Sequence, residues 1–201
     1  MRELTYQLGR EIGVGGNSHV YEIVGNPHLV LKTIGSVDYD PSFVDLDYQE
    51  AVRMKKRYAR IPEGVSLARI LKVGMKNGFP GVVMQRASGS ELFRKGMTYS
   101  AWHERVEQLE DAPQNQYDKL VADHIAILKA GLCVDYKPSN FFYCQDNGFT
   151  FMDLVPSSLP QSLTNTLLYP TIHEDSVTEE DRAKRVTIKT KLHEAGDHPF
   201  F

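Results

Sequence analysis

The chain has 201 residues, of which 41% are hydrophobic and 24% charged, with a formal net charge of -3. That is material for one globular domain or two small lobes with a genuine core, and its near-balanced charge gives no general attraction to nucleic acid or anionic membranes. The two cysteines, Cys133 and Cys144, lie in apolar and aromatic surroundings without metal-ligand spacing, so they are expected as reduced, packed thiols.

No apolar run approaches the roughly eighteen residues a membrane span needs. The opening "MRELTYQLGREIG" has no apolar stretch of the kind a cleavable leader carries. The expectation is a soluble, monomeric protein without a nucleic-acid partner.

In chain order, "YQLGREIGVGGNSHVYEIVG" places β-type residues on both sides of a glycine cluster, and "HLVLKTI" reads as a short buried strand. Gly25-Asn26-Pro27 between them predicts consecutive antiparallel strands. The period then changes. Over Asp38–Tyr58, Val44, Tyr48, Ala51, Val52 and Tyr58 recur at helical spacing, with Lys55, Lys56 and Arg57 in the last turn. "ARILKVGMKNGFPGVVMQRA" returns to strand character and turns at Asn77-Gly78.

"ASGSEL" marks a boundary between a strand-rich lobe over 1–87 and a helical lobe over 88–201. In the second lobe, Tyr117–Ala130 is the clearest helix, with Leu120, Val121, His124, Ile125, Ile127 and Leu128 on its apolar face and Gly131 as its stop. Trp102 is expected as a packing anchor. Thr178–Ala195 reads as one solvated helix whose basic run (Arg182, Lys184, Arg185, Lys189, Lys191) is an exposed face. The fold class is α+β, with an antiparallel-sheet N-lobe and a strongly reduced helical C-lobe.

Several residues carry candidate chemistry. "IGVGGNSHVY" presents Gly13, Val14, Gly15, Gly16, Asn17, Ser18 and Val20. A dinucleotide fingerprint would need a strand feeding a helix. Here β-type residues continue, so the loop joins two strands; its amides can close over a triphosphate without side-chain obstruction, or it is simply a hairpin turn. Lys32 ends the strand "HLVLK"; Glu50 on the following helix is its candidate partner, with Asp45 and Asp47 as rival carboxylates.

"VDYKPSNFFYCQDNGFTFMDL" gathers Asp135, Lys137, Asn140 and Asp153. A carboxylate in such a loop can accept a proton from an attacking hydroxyl. Asn140 and Asp153 are oxygen ligands for a hard cation, and Lys137 can offset charge on a transferred phosphoryl group. The strand "FFYC", turn "QDNG" and strand "FTFM" predict a hairpin that returns Asp153 to Asn140. Each of these polar residues, taken singly, also suits a turn that caps local backbone.

The order of glycine-rich loop, strand Lys, helix Glu, D-x-K-P-x-N loop and hairpin-terminal Asp resembles the eukaryotic-type protein kinases over Leu8–Val155. The resemblance implies a two-lobed kinase-like fold and a Ser/Thr protein kinase using ATP and Mg2+. It implies that Lys32 contacts the α- and β-phosphates and pairs with Glu50, that Asp135 is the catalytic base beside Lys137, and that Asn140 and Asp153 hold magnesium. Met84 would be the gatekeeper, with the Gln85 carbonyl and Ala87 amide meeting the adenine.

The chain departs from the family pattern in several places. Ser18 replaces the third loop glycine, Cys133-Val134 the usual His-Arg, and Asp153-Leu154-Val155 the usual D-F-G. The lost Arg argues against control by a phosphorylated activation loop, and the lost Gly argues for a fixed metal site. No A-P-E follows. These features resemble the small effector kinases that bacteria secrete into a host cell's cytoplasm, among them the family that phosphorylates and disables the host heat-shock chaperone of the ninety-kilodalton class. A pseudokinase-like binding module and a small-molecule, antibiotic-type phosphotransferase stand as alternatives.

Overall fold

Turn chemistry decides the first sheet. Asn77 (φ 51°) and Gly78 (φ 84°) both occupy the left-handed region, as a two-residue hairpin turn matched to strand twist requires. They join β4 (Ile70–Lys76) to β5 (Phe79–Gln85). Upstream lie β1 (Leu8–Gly15), β2 (Ser18–Ile23) and β3 (Asn26–Ile34), and the five strands are ordered β1-β2-β3-β5-β4, antiparallel throughout.

This computed structural model describes residues 1–15, 18–35, 40–93, 96–135, 137–156, 162–168 and 174–197. Gly16 and Asn17, and the expected helix start at Asp38, lie outside the described residues. The chain divides into two units, Met1–Pro62 with Ala68–Arg86, and Glu63–Leu67 with Ala87–Phe201.

In the first unit, α1 runs over Val44–Tyr58 and packs on β4 and β5. It begins at Val44, the first apolar position of the period, and not at the expected outer bound Asp38. Asp40, held extended before Pro41, caps a 3-10 turn (Pro41–Phe43) by accepting the Ser42 amide at 2.9 Å, and a residue before proline is disfavoured in helical conformation. The sheet core is Leu4, Ile23, Leu31 and Val83. Leu4 comes from an N-terminal segment bound to β4: its amide donates to Met75 O at 2.7 Å, and the Met75 amide donates to Arg2 O at 2.8 Å. Gly74 is required there, because a Cβ would sit 2.6 Å from Arg2 O and 2.7 Å from Leu4 Cγ.

The second unit contains α2 (Tyr99–Asp111), α3 (Gln114–Lys129), α4 (Leu163–Leu167) and α5 (Glu179–Glu194). Its strands are β6 (Ser90–Glu91), β7 (Leu132–Val134), β8 (Phe141–Cys144), β9 (Gly148–Phe151) and β10 (Leu154–Pro156). They form a three-stranded sheet, β6-β8-β9, and a separate antiparallel pair, β7 with β10. α3 covers β7 and β9, burying Tyr117, Leu120, Val121, His124 and Ile127, and Gly131 (φ 76°) ends the helix region. Ile125 is not on that face; one residue beyond His124, it turns into solvent.

Sequence periodicity leaves α2 undefined, yet Trp102, Val106 and Leu109 are buried at helical spacing and Thr98 caps it through the Ala101 amide. Trp102 is the packing anchor expected of it. α5 is a helix as expected, but its basic run is not simply an exposed face. Asp181, Lys184, Ile188 and Leu192 form a buried stripe, and the helix packs on α2 and α3. The polar members of that stripe hide its amphipathicity. Lys184 is held above the usual lysine range by hydrogen bonds to Glu107 (2.8 Å) and Glu180 (2.9 Å). Lys191 donates to the carbonyls of Glu110 and Ala112 at the end of α2. No helix of the described residues is long and apolar enough to cross a membrane.

Asp181, with a fully buried side chain, fastens α5 to α2. It accepts from Tyr99 Oη at 2.6 Å, from Thr178 N at 3.0 Å and from Thr178 Oγ1 at 2.8 Å, and lies 2.6 Å from His103 Nδ1. Burial alone would raise its carboxyl, but the bonds from Tyr99, Thr178 and His103 outweigh it and hold the group well below the usual range. A depressed carboxylate stabilises the fold above its unfolded pKa of about 4, and that contribution fades as pH falls toward the folded value. Asp181→Asn is therefore expected to cost about 1–3 kcal/mol at neutral pH, with a smaller gap from wild type at about pH 3. Urea titrations at both conditions check this; a gap that is equal or wider in acid would contradict it.

Candidate functional site

β7, a short and wholly buried run (Leu132, Cys133, Val134), delivers Asp135 at its end. β10 pairs with it antiparallel, Leu154 opposite Val134 and Val155 opposite Cys133. The ladder extends by one bond, from the Asp135 amide to Asp153 O at 2.9 Å. From the other side, β8 and β9 form the expected hairpin, Phe141 opposite Phe151, and the Met152 amide donates to Asn140 O at 2.9 Å. Asp135, Asn140 and Asp153 are thus brought together by main-chain bonds, Asp135 to Asp153 and Met152 to Asn140. Phe141 and Phe151, both buried, meet edge-on with centroids 5.4 Å apart and floor the hairpin.

The loop between Asp135 and Asn140 is folded on itself. The Asp135 carbonyl accepts from the Lys137 amide at 2.7 Å and from Asn140 Nδ2 at 3.1 Å, while the Asn140 amide donates to Lys137 O at 2.8 Å. Both polar main-chain atoms of Asp135 are therefore occupied, which fixes where its carboxylate starts. Lys137 Nζ lies 3.1 Å from Asp135 Oδ2, with the lysine side chain 73% exposed and the aspartate 26%.

In the first unit, register aligns residues distant in sequence. Gly13 lies opposite Val20, Val20 opposite Lys32, and Lys32 opposite Val82. Residues directly opposite share a sheet face, so Gly13, Val20 and Lys32 form one row. Leu31 and Val83 point to the other, packed face. β1 and β2 pair as far as Gly15 opposite Ser18, so the glycine cluster joins two strands; a Cβ on Gly15 would fall 2.8 Å from Ser18 Oγ. Val14 is exposed.

Glu50 accepts from Arg53 at 3.2 Å and Arg57 at 3.4 Å, so any further cation reaching it competes with two guanidinium groups of its own helix. Met84 is buried, opposite Val30 and Ile70. The Gln85 amide donates to Arg69 O at 2.9 Å, and Gln85 Oε1 accepts the Arg69 amide at 3.3 Å. Ala87, half-buried, opens the main stretch of the second unit.

Magnesium takes a near-octahedral oxygen set, commonly from one or two protein groups completed by phosphates and water. Asn140 and Asp153 fit that role as a neutral amide and a carboxylate. Because Asn140 Nδ2 is spent on the Asp135 carbonyl, its Oδ1 would be the atom to meet such a cation. Among the described residues no three His, Cys, Asp or Glu side chains form a metal-binding group, so phosphate and water oxygens would have to complete the set.

Sequence reasoning missed three buried carboxylates. Asp123 on α3 accepts the Ser66 amide at 2.9 Å and Lys119 Nζ at 2.9 and 3.0 Å. Asp181 fastens α5, and its capping box with Thr178 was a readable local signal. Asp197 accepts from Ser162 Oγ, the Leu163 amide, and Thr164 N and Oγ1, capping α4 from across the chain. Asp123 had one signal, since it follows Leu120 by three residues and so falls on the helix's inner face.

The chain matches no protein-family model, and no curated protein matches its sequence.

Magnitudes separate the loop's two side-chain ties. Asn140→Ala removes a bond to a main-chain carbonyl and is expected to cost about 1 kcal/mol. Lys137→Ala removes a largely exposed ion pair and should change stability by less than about 0.5 kcal/mol. Urea denaturation of the two variants checks the order, and a larger loss for Lys137→Ala would contradict it.

Proposed function

We propose that the chain is an ATP- and magnesium-dependent Ser/Thr protein kinase. The observation that carries this reading is the gathering of Asp135, Asn140 and Asp153 by the β7–β10 ladder and the β8–β9 hairpin. A base, an amide oxygen and a second carboxylate on one rigid support are the groups phosphoryl transfer needs.

In this mechanism Asp135 takes the proton of the attacking hydroxyl as its oxygen bonds to the γ-phosphorus. The bond from that phosphorus to the β–γ bridging oxygen breaks, and ADP leaves. Lys137, on an exposed stem beside Asp135, offsets charge on the transferred group. Magnesium held by Asn140 and Asp153 would neutralise the β- and γ-phosphate oxygens. Lys32 contributes a cation to the α- and β-phosphates, and the row it shares with Gly13 and Val20 supports a common role for those residues in nucleotide binding. Met84, Gln85 and Ala87 are assigned to the adenine by resemblance. By the same resemblance the proposal extends to a bacterial effector acting on a host protein, with the ninety-kilodalton heat-shock chaperone as the first substrate to try.

The test is incubation with labelled ATP, magnesium and a eukaryotic lysate, comparing wild type with Asp153→Ala and Asp135→Asn. Wild type should label protein, and each variant should lose roughly a hundredfold or more of the rate. ATP-induced thermal stabilisation without label would instead indicate a binding module. Label confined to small metabolites would indicate a small-molecule phosphotransferase. Equal labelling by all three proteins would overturn the site.

A further inference from the structure

We infer that Asp123 is a positioning residue for Asp153, acting through the segment Glu63–Leu67; its consequence for the metal rests on the kinase reading above. β9 is the edge strand of the β6-β8-β9 sheet. On its inner side the Met152 amide is taken by Asn140 O, but the amide of Phe151 points outward. An edge strand with unpaired main-chain groups is free to fray, and Asp153 lies only two residues beyond Phe151.

Residues 63–67 close that edge. The Phe151 amide donates to Ser66 O at 2.9 Å, and Leu67 bridges Phe151 in parallel. Val65 and Leu67 are buried, so this turn is packed down with a single bridge laid along the edge of β9. On its other side it is bonded to side chains of α3. There Asp123, 6% exposed, accepts the Ser66 amide at 2.9 Å. Lys119 joins in, donating to Gly64 O at 2.8 Å and to both Asp123 oxygens. Ser66 is thereby held through its amide by α3 and through its carbonyl by β9.

Removing the Asp123 carboxylate unfastens one side of Ser66 and loosens the outer edge of β9, weakening the hold on Asp153 from that side while the main-chain bonds to Asp135 and Asn140 remain. Groups that orient a ligand typically govern metal affinity by about tenfold or more. Asp123→Asn keeps an acceptor for the Ser66 amide and should preserve most of the wild-type behaviour; Asp123→Ala should not.

Two readouts test this. The first is amide hydrogen exchange in the ligand-free protein: Asp123→Ala should speed exchange at Ser66, Phe151 and Asp135 by about tenfold or more while leaving β4 and β5 unchanged, with Asp123→Asn close to wild type. Unchanged exchange at Phe151 and Asp135, or uniform acceleration across the protein, overturns the inference. The second is the magnesium concentration for half-maximal phosphoryl transfer, which should rise about tenfold in Asp123→Ala at little changed maximal rate. Wild-type transfer with an unshifted magnesium dependence in Asp123→Ala also overturns it. If wild type transfers nothing, the kinase reading fails, and the positioning claim stands or falls on the exchange pattern.

Discussion

One hydrogen bond organises the candidate site: the Asp135 amide to the Asp153 carbonyl. It extends the β7–β10 ladder by one rung past Val134 and Leu154. Without it, two carboxylate residues eighteen positions apart would belong to separate loops, each with its own conformational freedom. With it, both are continuations of paired strands, and the entropy of ordering them is met by the burial of Leu132, Cys133, Val134 and Leu154 beneath. The β8–β9 hairpin then adds Asn140 through a second main-chain bond. Main-chain geometry brings all three residues together before any ligand enters, and on the proposed kinase reading that is the condition under which electrostatic catalysis avoids reorganisation cost.

The departures from the kinase pattern acquire a physical sense in this ladder. Cys133 and Val134 stand where His-Arg is usual; Leu154 and Val155 stand where Phe-Gly is usual. These four residues face one another: Cys133 opposite Val155, Val134 opposite Leu154. Apolar and β-branched side chains suit a buried strand pair, whereas a glycine would weaken it. The two segments therefore complement each other as facing strands. The backbone on either side of Asp153 is held by strand pairing.

Local chemistry was legible in the sequence. Asn77-Gly78 and the "QDNG" turn announced two hairpins, and the second correctly returned Asp153 to Asn140. The glycine cluster was expected to join two strands because β-type residues continued beyond it, and it does. What stayed hidden involves partners far apart in the chain. Asp123 finds Ser66, Asp181 finds Tyr99 and His103, and Lys191 finds the end of α2. The α5 stripe was invisible because half of its buried positions are charged, so a hydrophobic period misses them. Pro41 keeps α1 from starting at the expected Asp38 for a reason written in the sequence, and the first apolar position of the period, Val44, is where the helix begins.

The central claim is that Asp135, Asn140 and Asp153 form one cation-holding, phosphate-facing group. The most direct measurement is paramagnetic relaxation by manganese, added together with a non-hydrolysable ATP analogue, on isotope-labelled protein. The amides of Asp135, Asn140 and Asp153 should broaden together, and Asp153→Ala should abolish the effect. Broadening centred elsewhere, or at Asp153 without Asp135, would contradict the account.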